Sequence, residues 1–113
     1  MNKKFRIKWT APAREDVSEI INYIDNTNSN YAEKVLCMID KNVSKLDMNP
    51  ERHRIVHELE KYGYFIYREI IIEYWRVIYR IENDIVYIML VIDGRRNIEH
   101  ILLNKILLRE SVL

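Results

Sequence analysis

Apolar and polar residues repeat along the chain with two different periods, which predict separate strands and helices. They alternate over residues 5–10, and a period of two is typical of a short strand. Apolar residues then recur at three- and four-residue steps over residues 13–24 and 32–46, which predicts two amphipathic helices. The polar link between them is short, and Ser29 or Asn30 can cap the second helix. The two helices are therefore expected to form an antiparallel hairpin.

Three segments in the second half of the chain are rich in aromatic and β-branched residues and predict strands. They are residues 64–72, 74–82 and 85–92. Asn83-Asp84 has the length and the residue types of a two-residue hairpin turn, whereas the link near Ile72-Glu73 has no Gly, Asn or Asp. Because the three strands follow one another with only short links, the sequence predicts a three-stranded antiparallel meander.

A last helix is predicted from about Asn97, and its apolar residues cover much of its circumference. These residues are Ile98, Ile101, Leu102, Leu103, Ile106, Leu107 and Leu108. One side of the helix must cover the sheet, which is expected to leave Leu103 and Leu107 exposed to a protein partner or a second copy of the chain. The competing interpretation is that this end of the chain frays or folds back.

The order of these elements predicts an α+β fold in a single domain over residues 1–113. It comprises a short N-terminal strand, an antiparallel helix hairpin, a three-stranded antiparallel meander and a C-terminal helix. We expect the helices to pack on one face of the small sheet. With only two glycines and two prolines, the chain is expected to consist of regular elements and short links.

Composition favours a cytoplasmic protein and argues against a membrane protein. The single cysteine, Cys37, excludes an intramolecular disulfide and fits a reducing compartment. The longest apolar run, residues 85–92, is far shorter than a spanning helix. The basic first residues lead into no signal-peptide core, so export is not expected.

Charge and spacing exclude several kinds of site. Eighteen Lys and Arg against seventeen Asp and Glu leave a net charge of +1, so a nucleic-acid binder of this composition must gather its arginines in space. His53 and His57 form the one close-spaced ligand pair, and no further zinc ligand accompanies them. Gly63 and Gly94 are isolated glycines that suit turns rather than a phosphate-binding loop. The sequence therefore predicts no metal and no cofactor.

An ordered set of segments resembles the RelE/ParE toxin superfamily over about residues 5 to 108. The core of the resemblance is Arg68-Glu69-Ile70, residues 74–81 (YWRVIYRI), Asn83-Asp84, residues 86–92 (VYIMLVI) and Gly94-Arg95-Arg96. Upstream, Lys8-Trp9-Thr10 is similar to the first strand of that family. Asn49-Pro50 is similar to the exit from its second helix.

The resemblance implies the toxin of a type II toxin–antitoxin pair, which acts in the cytoplasm and is neutralised by a cognate antitoxin. RelE-like members are ribosome-dependent endoribonucleases that cut mRNA, whereas ParE-like members poison DNA gyrase. The implied partners are therefore the antitoxin together with gyrase or, alternatively, the ribosome and mRNA. A homodimer and a toxin–antitoxin hetero-oligomer are both consistent with this family.

The resemblance places the basic residues of the RelE-like enzymes at Arg68, Arg76 and Arg96. RNA cleavage needs cations on the phosphate, a base and a proton donor. Arg76 and Arg80 lie on one predicted strand and point to the same side, where Arg68 can join them. The competing interpretation is that Arg76 pairs with carboxylates such as Glu69 and supports the sheet.

The chain departs from the RelE-like pattern where a proton donor is expected. Residues 97–108 contain no counterpart of the tyrosine that follows the last strand in RelE-like enzymes. His57 and His100 are the remaining candidates for an acid or base, since histidine titrates near neutrality. His57-Glu58-Leu59, together with Trp75, is similar to histidine-using members of the RNase branch. An isolated histidine is more often a surface or capping residue.

These departures and the near-neutral charge favour the ParE branch and a toxin that acts by binding. Candidate binding residues are Arg80, Arg95, Leu103 and Leu107. The alternative is a RelE-like endoribonuclease, which would enter the ribosome and is expected to be strongly basic. A third hypothesis is an inactive member of the family that serves as an interaction module.

Overall fold

The computed structural model describes residues 4–96 and 99–110. Within them the order is β1 (Arg6–Trp9), α1 (Ala11–Asp25), α2 (Ser29–Ser44), α3 (His57–Glu60), β2 (Tyr67–Ile72), β3 (Trp75–Glu82), β4 (Ile85–Asp93) and α4 (Glu99–Arg109). The predicted α+β fold is confirmed, from the N-terminal strand and the two helices to the meander and the last helix. Asn97 and Ile98, assigned to that helix from the sequence, lie outside the described residues.

The four strands form one sheet in the order β1-β4-β3-β2. The meander pairs antiparallel, with Ile70 opposite Val77 and Val77 opposite Val91. β1 pairs parallel to β4, with Ile7 opposite Val86. The helix hairpin thus serves as the crossover that a parallel pair requires.

Local capping determines where the hairpin helices begin. Thr10 precedes α1, where its hydroxyl oxygen accepts from Ala13 N at 3.4 Å and donates to Ile88 O at 2.7 Å. Asn28 caps α2, because its Oδ1 accepts from Tyr31 N at 3.0 Å. The sequence-based assignment of this cap to Ser29 or Asn30 was therefore wrong by one or two residues.

The helices cover both faces of the sheet, which corrects the prediction that they share one face. On one face, α1 and α2 pack on a core that includes Val35, Ile39 and Val77. On the other face, α3 and α4 pack on a core that includes Leu59, Ile78 and Leu102. Neighbouring residues of β3 enter opposite cores because side chains alternate along a strand. A strand covered on both faces reads as a continuous apolar run, which hides this arrangement in the sequence.

A β-bulge interrupts β4 near its middle. Ile78 pairs with Leu90 and Tyr79 pairs with Ile88, so Met89 is the extra residue. The bulge changes which residues face each core: Ile88 joins the first core and Leu90 the second.

The segment before β2 differs from the extended structure expected from the sequence. The strand that was predicted from residue 64 begins at Tyr67, and residues 57–60 form the short helix α3. The edge pairing is made instead by Ile55, which forms an antiparallel bridge with Arg68. Glu58 consequently points from a helical turn towards β3, which decides the chemistry of the site.

Candidate functional site

Arg76, on β3, lies at the centre of a buried network of charged side chains. Its Nε donates to Glu69 Oε1 at 2.6 Å, and its Nη2 donates to Glu69 Oε2 at 2.9 Å. Its Nη1 and Nη2 donate to the two oxygens of Glu58 at 2.8 and 2.9 Å. Arg54 Nε also donates to Glu69 Oε2, at 2.7 Å. One guanidinium is thus paired bidentately with two carboxylates, from β2 and α3.

The centre of this network is shielded from water. The Glu69 side chain is fully buried, and that of Arg76 is 9% exposed. The hydrogen bonds from Arg76 lower the pKa of Glu58 to about 2, and those from Glu58 and Glu69 raise the pKa of Arg76. The interpretation that Arg76 pairs with Glu69 is confirmed. A phosphate group can bind this guanidinium only by displacing a carboxylate.

The prediction that Arg68 joins Arg76 and Arg80 was wrong. Arg68 pairs with Tyr79 of β3, so its side chain lies on the opposite face of the sheet. Its Nη1 donates to the carbonyl oxygen of His53 at 2.5 Å. Burial lowers the pKa of His53, and the positive charges of Arg52 and Arg68 lower it further. His53 is therefore neutral at pH 7, in surroundings of positive potential.

Arg80 lies on the same face of β3 as Arg76, as predicted, and contacts the end of α4. Its Nη1 donates to Glu110 Oε2, while the hydroxyl of Tyr67 donates to Glu110 Oε1. Burial, followed by the hydrogen bond to Glu110, raises the pKa of Tyr67. Arg80 Nε is buried and has no hydrogen-bond partner among the described residues. Arg80 thus faces inward, towards α4, rather than outward to a partner.

Arg95 is exposed in a fixed orientation. Its guanidinium lies 3.6 Å from the ring centroid of Tyr74 and donates to both oxygens of Asp93, at 3.0 and 2.7 Å. The hydrogen bond from Arg95 lowers the pKa of Asp93. Beside this pair, a shallow cavity of about 250 Å³ is lined by residues that include Tyr23, whose side chain is 80% exposed. Arg96, the next residue, is exposed and lines a separate cavity with Lys105.

The two candidate histidines lie on the surface. His57 begins α3, and its Nδ1 is 3.8 Å from Glu60 Oε1. His100 is exposed in the first turn of α4. Neither histidine is among the hydrogen-bond partners of Arg76. Within residues 4–96 and 99–110, no group of three or more metal-ligating side chains comes together.

The surface of α4 differs from the prediction at one of its two leucines. Leu107 is 49% exposed, and Leu108 is 74% exposed. Leu103 packs instead against the second core, beside the buried Leu102 and Ile106, so its assignment as an exposed residue was wrong. α4 is also tied to α1, because Arg109 donates to the two oxygens of Asp16 at 2.5 and 2.9 Å.

An apolar groove that sequence reasoning missed runs beside α1, α2 and β1. It has a volume of about 240 Å³ and is lined by Trp9, Val17, Leu36 and Ile39, with one cation and one anion among its other residues. Leu36 belongs to the apolar repeat over residues 32–46 that predicted α2, but it is 44% exposed. Its helical spacing gave no signal of this, because an apolar stripe wider than the core leaves residues at its border exposed.

Comparisons with known proteins agree with this architecture. A family model described as the ParE toxin of type II toxin-antitoxin system, parDE, matches residues 7–98. Among solved structures, a chain of the chromosomal ParDE TA system from P. aeruginosa matches with a TM-score of 0.66 and 16% sequence identity. That match covers 79% of this chain and 95% of the other. No curated protein matches the chain by sequence. Among the described helices, none is long and apolar enough to cross a membrane.

Proposed function

The chain belongs to the ParE toxin family of type II toxin–antitoxin systems, and from this membership we propose that it arrests growth by binding DNA gyrase. Bound toxin holds gyrase in a state in which the DNA stays cleaved. A cognate antitoxin neutralises the toxin in the cytoplasm by covering its surface. This mechanism requires surfaces on the toxin that are complementary to gyrase and to the antitoxin. It requires no acid, base or nucleophile from the toxin.

The hydrogen bonds that Arg76 makes are the observation that favours a binding function over RNA cleavage. A cation that stabilises a phosphate during cleavage has to present free N–H donors to it. Arg76 directs its donors to Glu58 and Glu69, and Glu69 is additionally held by Arg54. A phosphate would have to displace one of these carboxylates to reach the guanidinium. An arginine whose donors are all directed to carboxylates of its own chain supports the fold, and a protein that acts by binding needs no more from it.

We assign to gyrase the surface formed by Arg95, Asp93, Tyr74 and Tyr23, which we call the Arg95 surface. Tyrosine and arginine are enriched among the residues that dominate binding energy at interfaces. Asp93 and the ring of Tyr74 hold the Arg95 guanidinium in place before any partner arrives, so little side-chain entropy is lost on binding. Tyr23 offers a second exposed ring at the same cavity. Of the other residues proposed for binding, Leu107 remains available, whereas Arg80 and Leu103 are engaged within the chain.

The apolar groove beside α1 and α2 is the surface that we assign to the antitoxin. An amphipathic helix laid in such a groove buries apolar side chains at steps of three and four residues. Trp9 and Leu36 provide the partly exposed apolar walls, and Arg14 and Asp40 provide polar groups.

Replacing Leu36 by glutamate is expected to release the antitoxin while leaving the fold intact. Lys34→Glu, on an exposed position of the same helix, is the matched control.

The decisive experiment is a gyrase supercoiling and cleavage assay with the purified toxin. We expect micromolar toxin to inhibit supercoiling and to accumulate cleaved DNA. Arg95→Ala should require about tenfold more toxin, and Lys34→Ala should behave as the unchanged chain. The absence of stabilised cleavage at micromolar toxin would remove gyrase as the target. Co-expression with the product of the adjacent reading frame tests neutralisation, and size-exclusion chromatography of that mixture gives the stoichiometry.

The alternative function, a RelE-like endoribonuclease, keeps one supporting observation in Arg96. This residue is exposed and, among the described residues, its side chain makes no ion pair. Primer extension on translated mRNA after toxin induction would then show codon-phased cuts that Arg96→Ala abolishes. An unchanged transcript pattern excludes this alternative, whatever the gyrase assay shows.

A further inference from the structure

The link between α3 and β2 runs alongside α4 from one end of the helix to the other. Near the start of the link, the hydroxyl of Tyr62 donates to Glu99 Oε1 at 3.4 Å, and Lys61 forms an ion pair with the same carboxylate. Glu99 is the first residue of α4. Where the link enters β2, the hydroxyl of Tyr67 donates to Glu110, which directly follows the last residue of α4. The link and the helix therefore form a common surface on the second face of the sheet.

Exposed apolar side chains gather along this surface. In α4, Leu103 and Leu107 follow Glu99 at steps of four residues, so they lie on the side of the helix that faces the link. Leu103 packs against the second core together with Tyr64 of the link, whereas Leu107 remains half exposed. The seam patch is our name for the four large apolar side chains of this surface that are 49–60% exposed, namely Tyr62, Phe65, Ile66 and Leu107.

The seam patch is large enough for a specific contact with a second copy of the chain. A large side chain offers about 150–250 Å² of surface, so four that are half exposed present roughly 400–500 Å². Two copies that cover each other's seam patch, together with the surrounding atoms, bury about 1,000 Å² in total, which is close to the lower limit for specific interfaces. This area predicts a weak and reversible dimer.

The charges at the two ends of the seam patch favour a copy of the same chain over a partner of one charge sign. At one end Lys61 is paired with Glu99, and at the other end Arg80 is paired with Glu110 and Glu82. These cations and anions neutralise each other, so they create no strong field of one sign that would attract nucleic acid or an acidic protein. A two-fold contact places each surface against itself. An apolar patch between balanced charges is complementary to itself, whereas a surface of one charge sign repels itself.

We propose that the seam patch is the interface of a two-fold symmetric homodimer of this chain. Each copy places Phe65, Ile66 and Leu107 against the seam patch of the other copy. Leu107 is then covered by the second copy rather than offered to gyrase. The Arg95 surface and the apolar groove contain no residue of the seam patch and stay accessible in the dimer. The proposal stands whether or not gyrase is the target.

The test is sedimentation velocity of the purified full chain over a range of concentrations. We expect a monomer–dimer equilibrium with a dissociation constant of about 10–100 µM, as the small interface area implies. Phe65→Glu brings an unpaired charge into the contact from both copies and should weaken the dimer at least about tenfold. Leu36→Glu makes the same kind of change at an exposed apolar residue of the apolar groove, on the first face of the sheet, and should dimerise as the unchanged chain. Circular dichroism and thermal unfolding verify that both variants fold.

Raising the salt concentration tests the apolar nature of the contact. Association through exposed charges weakens with salt because the charges are screened, whereas burial of the seam patch should persist. A chain that stays monomeric at millimolar concentration would overturn the proposal, and so would a dimer that dissociates with rising salt. A dimer that Leu36→Glu disrupts and Phe65→Glu leaves intact would place the interface at the apolar groove. If the chain is monomeric and Phe65→Glu instead abolishes capture of the antitoxin or inhibition of gyrase, the seam patch belongs to that partner and the homodimer is excluded.

Discussion

Replacing Arg76 by methionine removes the centre of the buried charge network while keeping a side chain of similar length. The Glu69 carboxylate, fully buried, then retains Arg54 as its one charged partner in the network, and Glu58 loses two hydrogen bonds. Removing one member of a buried ion pair typically costs 3–5 kcal/mol. Because Arg54 still neutralises Glu69, we expect the low end, about 3 kcal/mol. For a domain of this size that corresponds to a fall in melting temperature of about 10–20 °C.

Urea unfolding, monitored by circular dichroism, measures this loss of unfolding free energy. Repeating the measurement at acid pH tests whether the loss comes from the ion pairs of Arg76. The pKa of Glu58 is lowered from 4.5 to about 2 in the folded chain. A depressed pKa stabilises the fold above pH 4.5, and the contribution is lost as the pH falls from 4.5 towards 2. The shift corresponds to about 3 kcal/mol, which the partial exposure of Glu58 reduces to about 1–2 kcal/mol. The difference between the wild type and Arg76→Met should therefore shrink at low pH.

A second variant separates the ion pair from the packing of the side chain. In Arg76→Met/Glu69→Met both buried charges are gone, and much of the lost stability should return, since apolar replacement of a buried pair is often neutral. If Arg76→Met unfolds within about 0.5 kcal/mol of the wild type, the guanidinium is not held by its carboxylates, and the argument against a catalytic role fails. A stable Arg76→Met protein that has lost all toxicity would point to direct contact with the target.

Three further changes test other parts of the structure, each by urea unfolding. Asp16→Asn removes the carboxylate that pairs with the half-buried Arg109 of α4 and should cost about 2–4 kcal/mol; an unchanged midpoint would mean that α4 is not anchored there. Gly94→Ala places a Cβ 2.9 Å from both Arg76 Cδ and the carbonyl oxygen of Tyr74, so we expect a loss of about 1–3 kcal/mol, and a neutral result would contradict that close approach. Tyr79→Phe removes a 2.6 Å hydrogen bond to a buried main-chain carbonyl and should cost about 1–2 kcal/mol; a cost near zero would show that water replaces the hydroxyl.

Local patterns were sufficient to predict most of the secondary structure. The turn at Asn83-Asp84 lies between β3 and β4 as predicted, with Asn83 at a φ of 56°. The other link lies between β2 and β3, near Ile72-Glu73 as predicted. Its residue types gave no turn signal, because Glu73 adopts a φ of 57°, a conformation that glutamate rarely takes. α3 was also missed, since a helix of four residues has no periodicity to detect.

The candidate site was less predictable because it depends on contacts between distant residues. Arg76 and Arg80 were correctly placed on one face of the sheet, whereas Arg68, which was expected to join them, lies on the other face. The partners of these arginines come from other segments of the chain. Those partners include His53, Glu58 and Glu110. Nothing in the local sequence states that a helical turn directs Glu58 onto β3, or that α4 ends beside Arg80.

The amino-acid sequence by itself therefore determined the longer helices and strands, their order and the toxin family, since each follows from short-range periodicity and from an ordered set of motifs. Only the tertiary structure decided which charged side chains are paired and which are exposed. A net charge of +1 is compatible with a free cluster of arginines or with a neutralised one. Folding neutralises Arg76 with two carboxylates and leaves Arg95 exposed. The physical reason is that the energy of a charge depends on its distance from partners and on its burial, and both are set by packing between elements far apart in the chain.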